Sequence, residues 1–240
     1  MKNRIYNSKN SFFKIYVISI LTMLTNFFTT KKNVEKLIEK NLEELKKNKE
    51  KELTIFVYGI RIGRYGSLFN AINWFKKRGL IMIPIECESK GSVPYSAKKI
   101  KLQIKKIMQK TNAKKINIIG FSYGGFVIRY YSEMLGGYKI INKIVTVCGP
   151  YNPLSPKKSL AFWISKFTGG DPVGDNIMLK KLQNKYSVKN HLSIYSLKDW
   201  ILPRKDTKSY KAQEIAIRGG HLFISYNLDI SEIILDYLKK

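Results

Sequence analysis

A chain of 240 residues, 44% apolar and 12% aromatic, buries one full-sized core and is too short for a second. These numbers exclude wholesale disorder, a collagen repeat and a small disulfide scaffold. Forty-four Lys and Arg against 17 Asp and Glu leave a net charge of +27, which cannot cancel locally. Such a surface attracts anionic partners, and solvated lysine-rich faces produce the same excess without one.

The first 14 residues carry Lys2, Arg4, Lys9 and Lys14 with no acid, and residues 15–28 form a mostly apolar run of 14. A basic segment followed by a short apolar one reads as an export signal or an uncleaved anchor over 1–30. The run is short for a bilayer span, and Thr22, Thr25 and Asn26 interrupt it, so a buried or interfacial helix is the alternative. Residues 31–52 place Val34, Leu37, Ile38, Leu42 and Leu45 near helical spacing amid mixed charges, which predicts an amphipathic helix or spacer leading into the following domain.

From residue 53 the pattern changes. β-Branched or aromatic runs at 53–58, 80–85, 116–121, 143–148, 192–197 and 215–217 alternate with helix-patterned segments at 68–77, 97–109, 124–135 and 229–238. Near-continuous apolar strands separated by helices predict an α/β fold, with about six mainly parallel strands and helices on both faces. Residues 53–240 form this domain.

One junction in it is distinctive. Residues 116–125, INIIGFSYGG, run a strand into G-x-S-x-G and then into the helix-patterned FVIRYY. A nucleophilic serine needs a sharp strand-to-helix turn, and a Cβ at Gly120 or Gly124 would strike neighbouring backbone there. Ser122 is the candidate nucleophile. The N–H of Tyr123 lies at the start of the helix, where the dipole favours a developing oxyanion.

A serine hydroxyl is a weak nucleophile at neutral pH and needs a base, in the chain order Ser, acid, His. Of the two histidines, His191 and His221, only His221 leaves room for an acid before it. It follows two glycines in a loop after the last predicted strand. His191, just before a strand, reads as a surface or helix-end hydrogen-bonding residue. Asp199, just past the strand at 192–197, is the candidate acid that orients the imidazole. Asp206 is its rival, while Asp171 and Asp175 stand in a Gly/Pro-rich stretch and read as turn residues. The loop after the first strand, VYGIRIGRYG at 57–66, is expected to supply the second oxyanion donor from the N–H of Ile60.

Five stretches carry a resemblance: FVYGI at 56–60, TNAKKINIIGFSYGGFVIRYYSEMLGG at 111–137, KIVTVCGPYN at 143–152, SIYSLKDWILP at 193–203 and GGHLFISY at 219–226. Together they resemble the small bacterial lipases and esterases of the α/β-hydrolase superfamily, near the class 2 triacylglycerol lipases. The resemblance implies Ser122 as nucleophile, Asp199 as acid, His221 as base, and the Ile60 and Tyr123 amides as oxyanion hole. Two departures stand out. Tyr58-Gly59 replaces the His-Gly usual in that family, so that histidine's side chain is missing. Residues 151–190 also exceed what the smallest lidless members need, and read equally as a cap over an acyl site or as core helices. The sheet order that the superfamily implies puts two strands between Cys87 and Cys148, which excludes a disulfide.

The expectation is a serine hydrolase of carboxylic esters, exported or membrane-associated, acting on an acyl-ester or lipid substrate, with an anionic membrane surface as a further partner. The cysteines form no C-x-x-C pair, and no metal or cofactor is called for. No nucleic-acid module accompanies the charge. The rival is a membrane-anchored cationic binding protein on a vestigial hydrolase scaffold.

Overall fold

Near-continuous apolar residues in the strands after residue 53 leave both faces of the resulting sheet hydrophobic, and helices cover both. The computed structural model describes residues 4–5, 29–47, 52–58, 65–87, 91–209, 211–221 and 228–240. Six full strands, β2 (Leu53–Tyr58), β3 (Met82–Glu86), β4 (Ile116–Phe121), β5 (Ile141–Val147), β6 (His191–Ser196) and β7 (Gln213–Ile217), join a two-residue edge strand, β1 (Arg4–Ile5). The order is β1-β7-β6-β5-β4-β2-β3 and every neighbouring pair is parallel. The helices are α1 (Lys31–Lys47), α2 (Tyr65–Lys76), α3 (Val93–Thr111), α4 (Tyr123–Met134), α5 (Leu160–Phe167), α6 (Pro172–Leu182), α7 (Arg204–Thr207) and α8 (Leu228–Lys239).

The two cores lie on opposite sides of the sheet. Ile55, Ile83, Ile118 and Ile144 face the helices α3 and α4, with Ile100, Ile104, Val127 and Ile128 packed on them. Met82, Ile119, Val145 and Ile194 face the other way, toward Phe75 of α2 and Ile230, Ile234 and Leu238 of α8. Adjacent residues such as Ile118 and Ile119 thus serve different cores, as the two-residue period of a strand requires.

Boundaries moved where turn chemistry decided them. The strand expected from 80 starts at Met82, because Gly79 (φ +85°) closes α2 and the Leu80 N–H reaches the Phe75 carbonyl at 3.0 Å, a glycine-terminated helix end. Helix α3 starts at Val93 rather than 97, because Pro94 fits the first turn, where its missing N–H costs nothing. Helix α1 is no free spacer. Leu45 joins the main core, Val34 and Leu37 pack with Leu68 and Ile72, and Asn41 donates to the Met82 carbonyl at 3.2 Å.

The segment 151–190 is partly core. Phe162 of α5 and Leu179 and Leu182 of α6 belong to the same cluster as the sheet residues. Asp175 is not a turn residue but sits within α6, only 4% exposed, and its Oδ1 accepts the Val93 N–H at 3.0 Å. Asp171 does act locally, capping α6 through Gly174. The expected signal or anchor at 1–30 lies outside the described residues apart from positions 4–5 and 29–30. Among the described residues no helix is long and apolar enough to cross a membrane.

Candidate active site

Strand β2 lies between β3 and β4, so the chain winds outward to β3 and then returns to the far side of β2. At such a reversal the loops leaving neighbouring carboxyl ends diverge and open a crevice. Ser122 follows β4 there, Asp199 follows β6 and His221 follows β7.

Close packing builds the turn at Ser122. A Cβ on Gly124 would stand 2.3 Å from the Val57 carbonyl oxygen, and one on Gly120 would stand 2.7 Å from the Gly124 carbonyl oxygen and the Gly125 Cα. The missing side chains let α4 start against β2 and β4 with no room to spare. Ser122 takes φ 52°, ψ −122° as a non-glycine residue, a conformation that costs of order 1–3 kcal/mol and persists only where its surroundings enforce it. Its N–H donates to the Val147 carbonyl at 2.8 Å.

Three side chains from three loops meet here. His221 Nε2 lies 2.9 Å from Ser122 Oγ, and His221 Nδ1 lies 2.6 Å from Asp199 Oδ2. The other carboxylate oxygen, Asp199 Oδ1, accepts the Ile201 and Leu202 N–H groups at 2.9 and 2.8 Å. Both oxygens are therefore engaged, which fixes the carboxylate plane and through it the imidazole. His221 and Asp199 are buried, while Ser122 stays partly open. The Phe121 ring packs 5.5 Å from the His221 ring. This relay can draw a proton from Ser122 Oγ and hold the resulting imidazolium against a carboxylate.

The remaining sequence candidates sort as follows. Tyr123 opens α4, where no carbonyl of the helix accepts its N–H. Its ring packs edge-on against Phe126, and burial, with Asp175 nearby, holds its hydroxyl pKa well above the ordinary value. Ile60 lies outside the described residues. Asp206 sits on α7, where burial raises its pKa, and His221 pairs with Asp199 instead.

His191 is neither at the surface nor at a helix end. It opens β6, is 6% exposed, and its Nε2 lies 2.7 Å from the Tyr151 hydroxyl. Tyr151 also pairs with Thr146 Oγ1 at 2.6 Å and carries the buried Arg129 guanidinium 4.0 Å from its ring centre. Burial, reinforced by Arg129, pushes the His191 pKa down to about 3, so the ring is neutral. Arg129 itself donates to the Pro150 and Leu182 carbonyls. This polar cluster ties the 151–190 segment to α4, β5 and β6. Its signal in the sequence was an arginine in an otherwise apolar helix face, which has no meaning until the partners are known.

Cys148 was not among the expected site residues. It follows β5 with φ 48°, fully buried, and its Sγ lies within 4.8 Å of ligand-type atoms of Asp199 and His221. Burial and the adjacent Asp199 carboxylate hold the thiol pKa well above its usual value, so it stays protonated. Among the described residues this is the one grouping with metal-ligand spacing. Its carboxylate and imidazole are already bonded to each other. Cys87 follows β3, with β2 and β4 between it and β5, and both thiols are free.

A family model described as "Alpha/beta hydrolase of unknown function (DUF915)" matches residues 20–209. Among solved structures, the lipase BlEst2 of Bacillus licheniformis in its mature form is similar at 14% identity and a TM-score of 0.62, over 78% of this chain and 93% of that one. A monoacylglycerol lipase of Paleococcus ferrophilus matches at 14% identity and 0.53, over 77% and 94%. A 2-hydroxy-6-oxo-6-phenylhexa-2,4-dienoate hydrolase of a Rhodococcus strain matches at 13% and 0.55, over 80% and 92%. At these identities the likeness is one of fold.

Proposed function

The chain belongs to a family of alpha/beta hydrolases of unknown function, and from that premise we propose that it is a serine hydrolase of carboxylic esters, with acyl lipids as its substrates. The observation that carries this reading is the relay from Asp199 Oδ2 through His221 to Ser122 Oγ, at 2.6 and 2.9 Å, on a serine held at φ 52°. A strained, glycine-walled turn has no evident structural use, and it presents a hydroxyl to an oriented base.

In this mechanism Ser122 Oγ attacks the ester carbonyl carbon while His221 Nε2 takes its proton. The negative charge on the carbonyl oxygen is received by the Tyr123 N–H at the start of α4 and, on the sequence expectation, by that of Ile60. His221 returns the proton to the departing alcohol oxygen, leaving an acyl group on Ser122. Water, deprotonated by His221, then attacks the acyl carbon, the bond to Ser122 Oγ breaks, and His221 returns the proton to Oγ as the acid leaves. Asp199 keeps Nδ1 protonated throughout. An ester of an apolar acid suits the aromatic surroundings of Phe121 and Tyr123, and two neighbours in fold are named lipases. The dienoate hydrolase shares the fold as well, so the bond cleaved must be read from activity.

The test sets the full chain and Ser122→Ala against a fluorophosphonate and against p-nitrophenyl esters graded from short to long acyl chains, above and below micelle formation. The expected result is labelling lost in the variant and turnover lower by about 10⁴-fold or more, with long chains preferred. An unlabelled Ser122 and no ester turned over would instead favour the cationic binding protein on a vestigial scaffold.

A further inference from the structure

The exposed side of an ordinary surface helix is polar, and those of α5 and α6 carry large apolar side chains as well as lysines. Leu160, Trp163 and Phe167, at i, i+3 and i+7, form one stripe along α5 and are 39%, 39% and 81% exposed. Val173 and Ile177, one turn apart on α6, are 63% and 50% exposed. Trp200, beside Asp199, is 60% exposed. Of the ten large apolar side chains most exposed among the described residues, seven fall between Leu160 and Trp200, so they mark one region of the chain rather than a general roughness. Clustered exposure of this kind marks an interaction surface.

The stripe is not a helix turned the wrong way. Phe162 on the inner side of α5 is already in the core. On the outer side the rings are held in place. Trp163 Nε1 donates to the Pro156 carbonyl at 2.8 Å, and its ring stacks with Phe167 at 6.2 Å. Helix α5 is also fastened to the turn that carries the site. The Ala161 N–H and Ser159 hydroxyl donate to the Ile201 carbonyl at 3.1 and 3.4 Å, while the Ile201 N–H donates to Asp199. The helix that bears the apolar stripe is therefore bonded to the turn that carries Asp199.

Charge identifies what covers it. Residues 151–190 contain seven lysines, no arginine and two aspartates, and one of those, Asp175, is buried beneath. Lys157 and Lys158, just before α5, Lys166 on α5, and Lys180 and Lys181 on α6 are exposed, and Lys166 Nζ lies 5.4 Å from the Trp163 ring centre. Protein interfaces favour arginine and are depleted in lysine. Exposed tryptophan and phenylalanine on lysine-bearing helices, where lysines can keep their stems on apolar surface and their ammonium groups in the headgroup layer, suit an anionic bilayer.

We propose that the outer face of α5 and α6 docks on an anionic phospholipid bilayer, with Trp163, Phe167 and Trp200 entering the interface and the lysines lying against the headgroups. The docking stands independently of the hydrolase reading, because it needs only this surface.

The test uses the full chain carrying Ser122→Ala, so that no lipid is consumed, and Trp74→Phe, so that fluorescence reports Trp163 and Trp200 alone. The vesicles are phosphatidylcholine, with or without an equimolar share of phosphatidylglycerol, brominated on the acyl chains. The expected result is quenched, blue-shifted emission with the anionic vesicles and little with phosphatidylcholine alone. Adding Phe167→Ser, at a position too exposed to threaten the fold, should weaken partitioning by about tenfold, as loss of one buried aromatic side chain requires. The proposal is overturned if the chain sediments with vesicles while its emission stays unquenched, or if quenching is equal on both vesicle types. It is equally overturned by a dimer that Phe167→Ser dissolves and that ignores vesicles.

Discussion

Asp175→Asn separates the cost of burying a charge from the value of the bond that the side chain makes. Asp175, on the buried side of α6, accepts the Val93 N–H at 3.0 Å, joining this helix to the start of α3 near the Gly91 N–H bond to Gly169. Burial pushes its pKa from 3.8 up to about 7; the Val93 N–H opposes the rise and Asp171 adds to it. Below pH 3.8 the carboxyl is neutral in both the folded and unfolded chain, and its contribution is fully present. Between pH 3.8 and about 7 the unfolded chain has released the proton and the folded chain has not. Each pH unit then removes about 1.4 kcal/mol of folding stability, so the loss approaches about 4 kcal/mol across the window and stays there above it. Asparagine keeps an oxygen for Val93 and cannot ionise. Urea unfolding of wild type and variant from pH 4 to 8 should therefore start with matched stabilities and diverge as pH rises, the variant being the more stable at pH 8. Titrations elsewhere in the molecule cancel in the difference. A variant destabilised by the same amount at every pH would refute the reasoning, since the bond and not the buried charge would then dominate.

Two further outcomes follow from the site. Asp199→Asn retains an oxygen for the Ile201 and Leu202 N–H groups but no longer holds Nδ1–H of His221, so ester turnover should fall by about 10³- to 10⁴-fold with the circular dichroism spectrum unchanged; a loss below tenfold would remove Asp199 from the mechanism. Gly124→Ala sets a Cβ 2.3 Å from the Val57 carbonyl oxygen, and because the obstacle is backbone, thermal unfolding should report destabilisation of about 2 kcal/mol or more, whereas an unchanged melting temperature would mean that β2 and α4 are not pressed together at that point.

The strands and main helices were legible because one physical signal, the period of apolar residues, fixes both an element's type and its buried face. Both faces of β4 are apolar, so Ile116–Phe121 could be read as a central strand before any neighbour was known. The turn at Ser122 was legible from its G-x-S-x-G spacing between a strand and a helix, although only Gly120 is demanded by contacts within ten residues, Gly124 being pressed against Val57 of β2. Boundaries at Met82 and Val93 were less so, because a helix-closing turn at Gly79 decided the first, and a first-turn proline together with the Asp175 carboxylate of another helix decided the second.

What the linear order determined by itself was an alternating α/β chain with a serine turn, and a histidine preceded by an acid in the order that such a turn requires. Only the folded arrangement decided that Asp199 and not Asp206 meets His221, that His191 is a neutral buried partner of Tyr151, and that α5 and α6 turn apolar side chains outward. The difference is one of range. The pattern that marks a strand or a tight turn lies within a few consecutive residues, whereas a hydrogen bond between residues 22 or 99 positions apart, or the exposure of a tryptophan, depends on how separate elements pack.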